Sequence, residues 1–222
     1  MLKRPELILI DLDGTLVDSV PDLAFCVDEM QRQLNLPLRG EAQVRHWVGN
    51  GVPRLVERAL SGELDGMPPA SLYEQAYPIF LELYNDNVSH RSQLYPGVRE
   101  GLDWLREQEW HLGCITNKAQ RFTRPLLAAL EVDNYFDLVL SGDSLPRKKP
   151  DPLPLLHAAQ HFGVSPAQSL MLGDSVSDVA AARAAGFQVV CVSYGYNHGQ
   201  DIRDAQPDAV IDSFLDLPKL LA

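Results

Sequence analysis

Short aliphatic runs alternate with amphipathic stretches along most of the chain. Six runs read as strands: Glu6–Ile10, His111–Ile115, Asp137–Leu140, Ser169–Leu172, Gln188–Val192 and Asp208–Ile211. Their apolar residues are consecutive, which suits strands covered on both faces, as in a parallel sheet. Helical periodicity predicts helices over Val98–Gln108, Arg121–Leu130, Leu153–Phe162, Asp178–Ala185 and Phe214–Leu221. Pro125 falls inside the second of these and predicts a kink or reset there. Strand and helix in alternation predict an α/β domain, a doubly wound (Rossmann-like), mostly parallel sheet.

The alternation breaks between about Val20 and Asn87. Helical patterns there cover Pro21–Leu34, Val52–Leu60 and Ala70–Tyr84, punctuated by Leu36-Pro37, Val48-Gly49-Asn50-Gly51 and Gly66-Met67-Pro68-Pro69. No strand-like run stands out. The chain therefore reads as an α/β core of residues 1–15 and 91–222 with a small all-helical cap domain, residues 16–90, inserted after the first strand.

Composition narrows the function. Of 222 residues, 45% are hydrophobic and 22% charged, as in ordinary globular proteins, but 19 Lys+Arg against 30 Asp+Glu leave a net charge of −11. That balance argues against a nucleic-acid partner or a polybasic membrane anchor, both of which need clustered cations. No window approaches the roughly 18 uninterrupted apolar residues of a membrane span. Cys26, Cys114 and Cys191 are too widely spaced for a disulfide framework or a zinc pair and read as buried residues of a reducing cytoplasm. No feature specifies an oligomeric state.

Candidate chemistry sits at the ends of the predicted strands, where ligands of open α/β sheets bind. Asp11-Leu12-Asp13-Gly14-Thr15 follows the first strand. Two carboxylates so close repel unless a cation neutralises them or one takes a proton, and hard oxygen ligands suit Mg²⁺. Gly173-Asp174-Ser175-Val176-Ser177-Asp178 places another acid pair at a strand end, although Asp or Ser at a helix start is also a common N-cap. Thr116-Asn117-Lys118 ends the second strand with a hydroxyl, an amide and an amine, and Arg147-Lys148-Lys149-Pro150 is a basic turn. Both can serve a phosphate oxygen. Together they form an inventory for transferring a phosphoryl group to an aspartate.

These residues resemble the four motifs of the haloacid dehalogenase superfamily: Asp11-x-Asp13-Gly14-Thr15, Thr116, Lys149-Pro150 and Gly173-Asp174-x-x-x-Asp178, in order from residue 11 to 178. Further stretches, among them Asp18-Ser19-Val20-Pro21-Asp22-Leu23, Trp47-Val48-Gly49-Asn50-Gly51 and Tyr194-Gly195-Tyr196-Asn197, are similar to those of bacterial phosphoglycolate phosphatases.

The resemblance implies a hydrolase of small phosphate esters that uses Mg²⁺. Phosphoglycolate is the expected substrate; N-acetylmuramic acid 6-phosphate, another sugar phosphate or a nucleotide are alternatives, as is sugar phosphomutase activity on the same core. It implies Asp11 as nucleophile and Asp13 as acid/base. The metal ligands would be Asp11, the backbone carbonyl of Asp13, and Asp174. Thr116, Asn117 and Lys149 would bind phosphate, Asp178 would act from behind them, and Gly14 would allow close backbone approach. A receiver-type signalling domain also groups acids, a Thr and a Lys, but is about half this length.

The cations of residues 16–90 are five arginines, of which Arg45, Arg54 and Arg58 flank the Gly49-Asn50-Gly51 loop. The expectation is that one of them meets a substrate carboxylate, with Asn50 and Gly51 nearby; the competing reading pairs them with acids such as Glu57.

Overall fold

The computed structural model describes residues 2–221. From β1 (Leu7–Ile10) the chain passes through a two-residue strand, β2 (Val17–Asp18), into four helices: α1 (Val20–Gln33), α2 (Glu41–Trp47), α3 (Val52–Ser61) and α4 (Ala70–Asp86). A second two-residue strand, β3 (Gln93–Leu94), brings it back. There follow α5 (Val98–Glu107), β4 (His111–Ile115), α6 (Gln120–Ala129), β5 (Leu138–Leu140), α7 (Leu153–Phe162), β6 (Ser169–Gly173), α8 (Val176–Ala185), β7 (Gln188–Val192), β8 (Ala209–Ile211) and α9 (Leu217–Leu221).

The sheet has six strands in the order β5-β4-β1-β6-β7-β8, all parallel. Every residue of β1 is buried, and alternate side chains serve different layers. Leu7 and Leu9 pack with Leu155 of α7 and Val179 of α8, whereas Ile8 and Ile10 join Leu102 of α5, Leu126 of α6 and Leu217 of α9. That second layer runs on into the helical insert through Val27, Met30, Phe80 and Tyr84. The sheet grows in opposite directions on either side of β1, which makes β1 a topological switch point.

Three helical details differ from the sequence reading. Glu41–Trp47 forms α2, too short for a periodic signal, with only Val44 and Trp47 buried. α6 runs unbroken through Pro125, which lies on its exposed side. Phe214–Leu221 splits into a 3-10 turn over Phe214–Asp216 and the short α9.

The entry to and return from the insert are tied together. β2 and β3 pair antiparallel, Val17 opposite Leu94 and Asp18 opposite Gln93. Asp22, wholly buried in the first turn of α1, accepts hydrogen bonds from the backbone N–H groups of Arg91 and Ser92 and from Ser92 Oγ at 2.7 Å. All three cysteines are free and buried, and among the described residues no helix is long and apolar enough to cross a membrane.

Candidate active site

The carboxyl ends of the three central strands, β4, β1 and β6, deliver Thr116, Asp11 and Asp174 to one place. The Asp11 N–H donates to the Leu172 carbonyl and so continues the sheet by one residue. Asp11 Oδ1 accepts from the Leu12 N–H at 2.8 Å and pairs with Lys149 Nζ at 2.9 Å, so both contacts fall on one carboxylate oxygen. Gly14 has φ +88°, and a Cβ there would lie 2.3 Å from Asp174 Oδ2. Only glycine lets this turn pass so close to the second acid.

Asp174 is held from both sides. Its Oδ1 accepts from Thr15 Oγ1 at 2.9 Å and its Oδ2 from the Tyr196 N–H at 2.6 Å. Asp178 makes contacts in two directions. Its Oδ2 accepts from the N–H and Oγ of Ser175, closing a capping box at the start of α8. Its Oδ1 accepts from Lys149 Nζ at 2.7 Å. Lys149 Nζ also donates to the Ile115 carbonyl at 2.6 Å, so two hydrogen bonds and the ion pair with Asp11 fix its ammonium. Burial alone would lower the Lys149 pKa, but Asp11 and Asp178 outweigh it and keep the ammonium charged.

Asp13 points elsewhere. Its Oδ1 accepts from Ser19 Oγ at 2.6 Å, and its two oxygens lie 3.0 and 3.2 Å from Lys118 Nζ. Lys118 also donates to Tyr84 Oη of α4 at 2.5 Å. The sequence offered Lys118 only as a phosphate donor and gave Ser19 and Tyr84 no role. The first two lie inside stretches quoted above, whereas Tyr84 shows in the sequence only as one more apolar position of a helix.

Charge decides whether a metal fits. One ligand oxygen from each of Asp11, Asp174 and Asp178 can be chosen so that all lie within 4.8 Å of one another. Four carboxylates here face two ammonium groups. Lys118 pairs with Asp13 and Lys149 with Asp178 as well as Asp11. Among the described residues Asp174 has no cation partner, and Asp11 shares one. Burial pushes the Asp11 carboxyl up to about 7 against the pull of Lys149, and burial with the neighbouring Asp178 and Asp11 charges raises Asp174 well above the carboxylate range. Two residual negative charges in a dry, oxygen-lined site match one divalent cation. The side chain of Asp13 is not part of this group, so it could contribute only its backbone carbonyl.

The pocket over these residues holds about 540 Å³, part of it open to solvent. Its floor includes Asp11, Asp13, Thr116, Asn117, Lys118 and Asp174, and its roof Leu23, Val48, Gly49, Gly51, Val52 and Leu55 from the insert. Asn117 Nδ2 donates to the Lys149 carbonyl at 3.0 Å and the Gly49 carbonyl at 3.4 Å, so it ties the floor to the roof.

Of the flanking arginine group, only Gly51 lines this pocket. Arg45 makes a fork with Asp18 and reaches Glu41. Arg54 pairs with Glu57 at 2.8 Å and donates to the carbonyls of Leu64 and Gly66. Arg58 binds the carbonyls of Trp47 and Leu64 and also Asn50 Oδ1. Each guanidinium is spent on closing the loops of the insert, which leaves these residues facing one another rather than a ligand.

A sequence model of the haloacid dehalogenase-like hydrolases matches residues 8–192. The chain belongs to this family. The phosphoglycolate phosphatase of Nitrosococcus oceani is 64% identical to it over 222 residues, covering 100% of this chain and 99% of that one. That of Nitrosospira multiformis is 47% identical over 217 residues, 96% of this chain and 94% of its own. A crystal structure from Haemophilus somnus, described as a predicted phosphoglycolate phosphatase, superposes with a TM-score of 0.93 at 36% identity over the whole of both chains.

Proposed function

We propose that this member of the family is a Mg²⁺-dependent phosphomonoester hydrolase acting on 2-phosphoglycolate, with residues 16–90 as the cap over its α/β core. The observation that carries the reading is the uncompensated pair Asp11 and Asp174 beside Lys149 at the switch point of the sheet. The names of the full-length relatives support the substrate.

In this reading, a carboxylate oxygen of Asp11 attacks phosphorus. The ester P–O bond breaks as the Asp11–phosphorus bond forms. Asp13 gives its proton to the departing alcohol oxygen. It then takes a proton from the water that attacks phosphorus and releases inorganic phosphate, which regenerates Asp11. Lys149 and Thr116 hold the phosphoryl oxygens, and Asp178 fixes Lys149 in place. Asp11, Asp174 and the Asp13 carbonyl would hold Mg²⁺, which would supply positive charge opposite the phosphoryl oxygens.

The test is phosphate release from a panel of esters ranked by kcat/KM. The reading expects 2-phosphoglycolate first, activity abolished by EDTA and restored by Mg²⁺, and an inactive Asp11→Asn variant. Near-normal turnover by Asp11→Asn would refute the aspartyl-phosphate route. A sugar phosphate or nucleotide at the head of the panel would refute the substrate.

A further inference from the structure

The proposed substrate ends in a carboxylate, and with the arginines turned away something else must receive that charge. Lys118 is the cationic side chain that lines the pocket, and it is 4% exposed. Its three protons are all engaged, but two of them serve the same carboxylate. One proton goes to Tyr84 Oη, while Asp13 occupies the other two with both carboxylate oxygens, at 3.0 and 3.2 Å. One Asp13 contact suffices to keep the ion pair, so the third proton can turn to a ligand with no loss of pairing.

Covalent geometry brings a carboxylate to that proton. During proton transfer the leaving oxygen is within hydrogen-bond reach of Asp13, and Asp13 is within 3.0 Å of Lys118 Nζ. In an ester of a 2-hydroxy acid the carboxylate carbon is two bonds beyond the leaving oxygen. It therefore falls within reach of Asp13 and of the Lys118 ammonium paired with it. Two carboxylates side by side in a dry pocket repel, and a shared ammonium removes that repulsion. The rest of the roof, Leu23, Val48, Val52 and Leu55, offers no competing charge.

We infer that Lys118 is the specificity residue of this site: it bridges Asp13 and the carboxylate of a substrate whose leaving alcohol carries that carboxylate on the adjacent carbon. The inference rests on the hydrolase reading above. Lys148, whose exposed Nζ donates to the Asn50 carbonyl at 2.9 Å beside Gly51, is the rival cation at the rim.

The experiment compares kcat/KM for 2-phosphoglycolate with kcat/KM for ethyl phosphate, which has a methyl group in place of the carboxylate. The ratio cancels any disturbance of Asp13, because both substrates share it. In Lys118→Met the ratio should fall about 30-fold or more, the scale of losing one partner of a buried charge pair, and Lys118→Arg should recover part of it. Lys148→Met should leave it unchanged. A ratio in Lys118→Met within about threefold of the parent overturns the inference, since loss of a merely structural lysine slows both esters alike. Collapse of the ratio in Lys148→Met alone overturns it too. A parent enzyme with no preference for 2-phosphoglycolate removes the substrate reading itself, and the inference with it. If Lys118→Met does not fold, a crystal structure of Asp11→Asn with 2-phosphoglycolate decides. A carboxylate within hydrogen-bond reach of Lys118 Nζ supports the inference, and one held elsewhere refutes it.

Discussion

Replacing Lys149 by methionine isolates the electrostatics of the phosphoryl site. The substitution keeps the length of the side chain and removes its charge. Lys149 Nζ lies 2.9 Å from Asp11, 2.7 Å from Asp178 and 2.6 Å from the Ile115 carbonyl, and the residue is 2% exposed. At such distances each ion pair is worth roughly 6 kcal/mol at an effective dielectric of about 20, before desolvation is subtracted. Breaking a buried pair costs about 3–5 kcal/mol net, because it strands the other charge.

The cost depends on pH, and its sign follows from Asp11. That carboxyl sits at about 7 in the folded protein against 3.8 for the unfolded group. The folded state thus keeps a proton that the unfolded chain releases, and stability falls as pH rises between those values. Without Lys149 the Asp11 carboxyl moves higher still, and the fall continues past pH 7. Between about pH 6 and 8.5 the parent loses about 1.4 kcal/mol through this group, and the variant more, at most about 3.4 with Asp11 protonated throughout, at 1.36 kcal/mol per unit. The destabilisation by Lys149→Met, read from urea unfolding in EDTA, should therefore be larger at the higher pH, by up to about 2 kcal/mol. A pH-independent difference would show that Asp11 is not held charged by Lys149.

Gly195→Ala tests the support of Asp174 directly. A Cβ at Gly195 would lie 2.2 Å from Asp174 Cβ and 2.5 Å from its Oδ2, so Asp174 must shift by about 1 Å, and a displacement of that order costs on the order of 100-fold in kcat/KM. The expected loss is largest at low Mg²⁺, in a protein whose melting temperature shows it folded; undiminished activity refutes the role of Asp174. Because Asp11 and Asp174 hold protons that a cation must displace, the rise in melting temperature on adding Mg²⁺ should be greater at pH 8 than at pH 5.5; equal rises would refute the charge assignment. Arg54→Ala should leave KM for 2-phosphoglycolate unchanged and cost about 1 kcal/mol or less in urea unfolding, since its partners lie within the insert; a raised KM would return the arginine to the pocket.

The legible and illegible parts of this protein differ in the range of the forces that set them. Continuous apolar runs marked all six strands of the main sheet, because a strand buried on both faces cannot hide a polar residue. The strand-end acids could be read for the same reason, as each interrupts such a run. α2 and the β2–β3 ribbon were missed because seven and two residues leave no period to detect. Lys118 was visible as a residue but not as a partner of Asp13, since that contact spans 105 positions and is completed by Tyr84 from the insert. The partners of the arginines could not be read, because a guanidinium satisfied by groups of its own insert has the same sequence as one that waits for a ligand.

The insert also reaches the second acid. Arg45 of α2 forks onto Asp18 of β2, Asp18 accepts from the hydroxyl of Tyr196, and the Tyr196 N–H holds Asp174. Ser19, at the start of α1, holds Asp13. A chain with a net charge of −11 can therefore act on an anionic ester without any basic surface. Its excess acids on the outside are screened by salt over about 10 Å, whereas the four at the site are not. There the sum is local: two of the four charges are matched by lysines and two are left for a divalent cation. In the proposed reading, the attraction that a phosphate feels is built inside the pocket, by the ammonium groups that the acids hold and the metal they would hold.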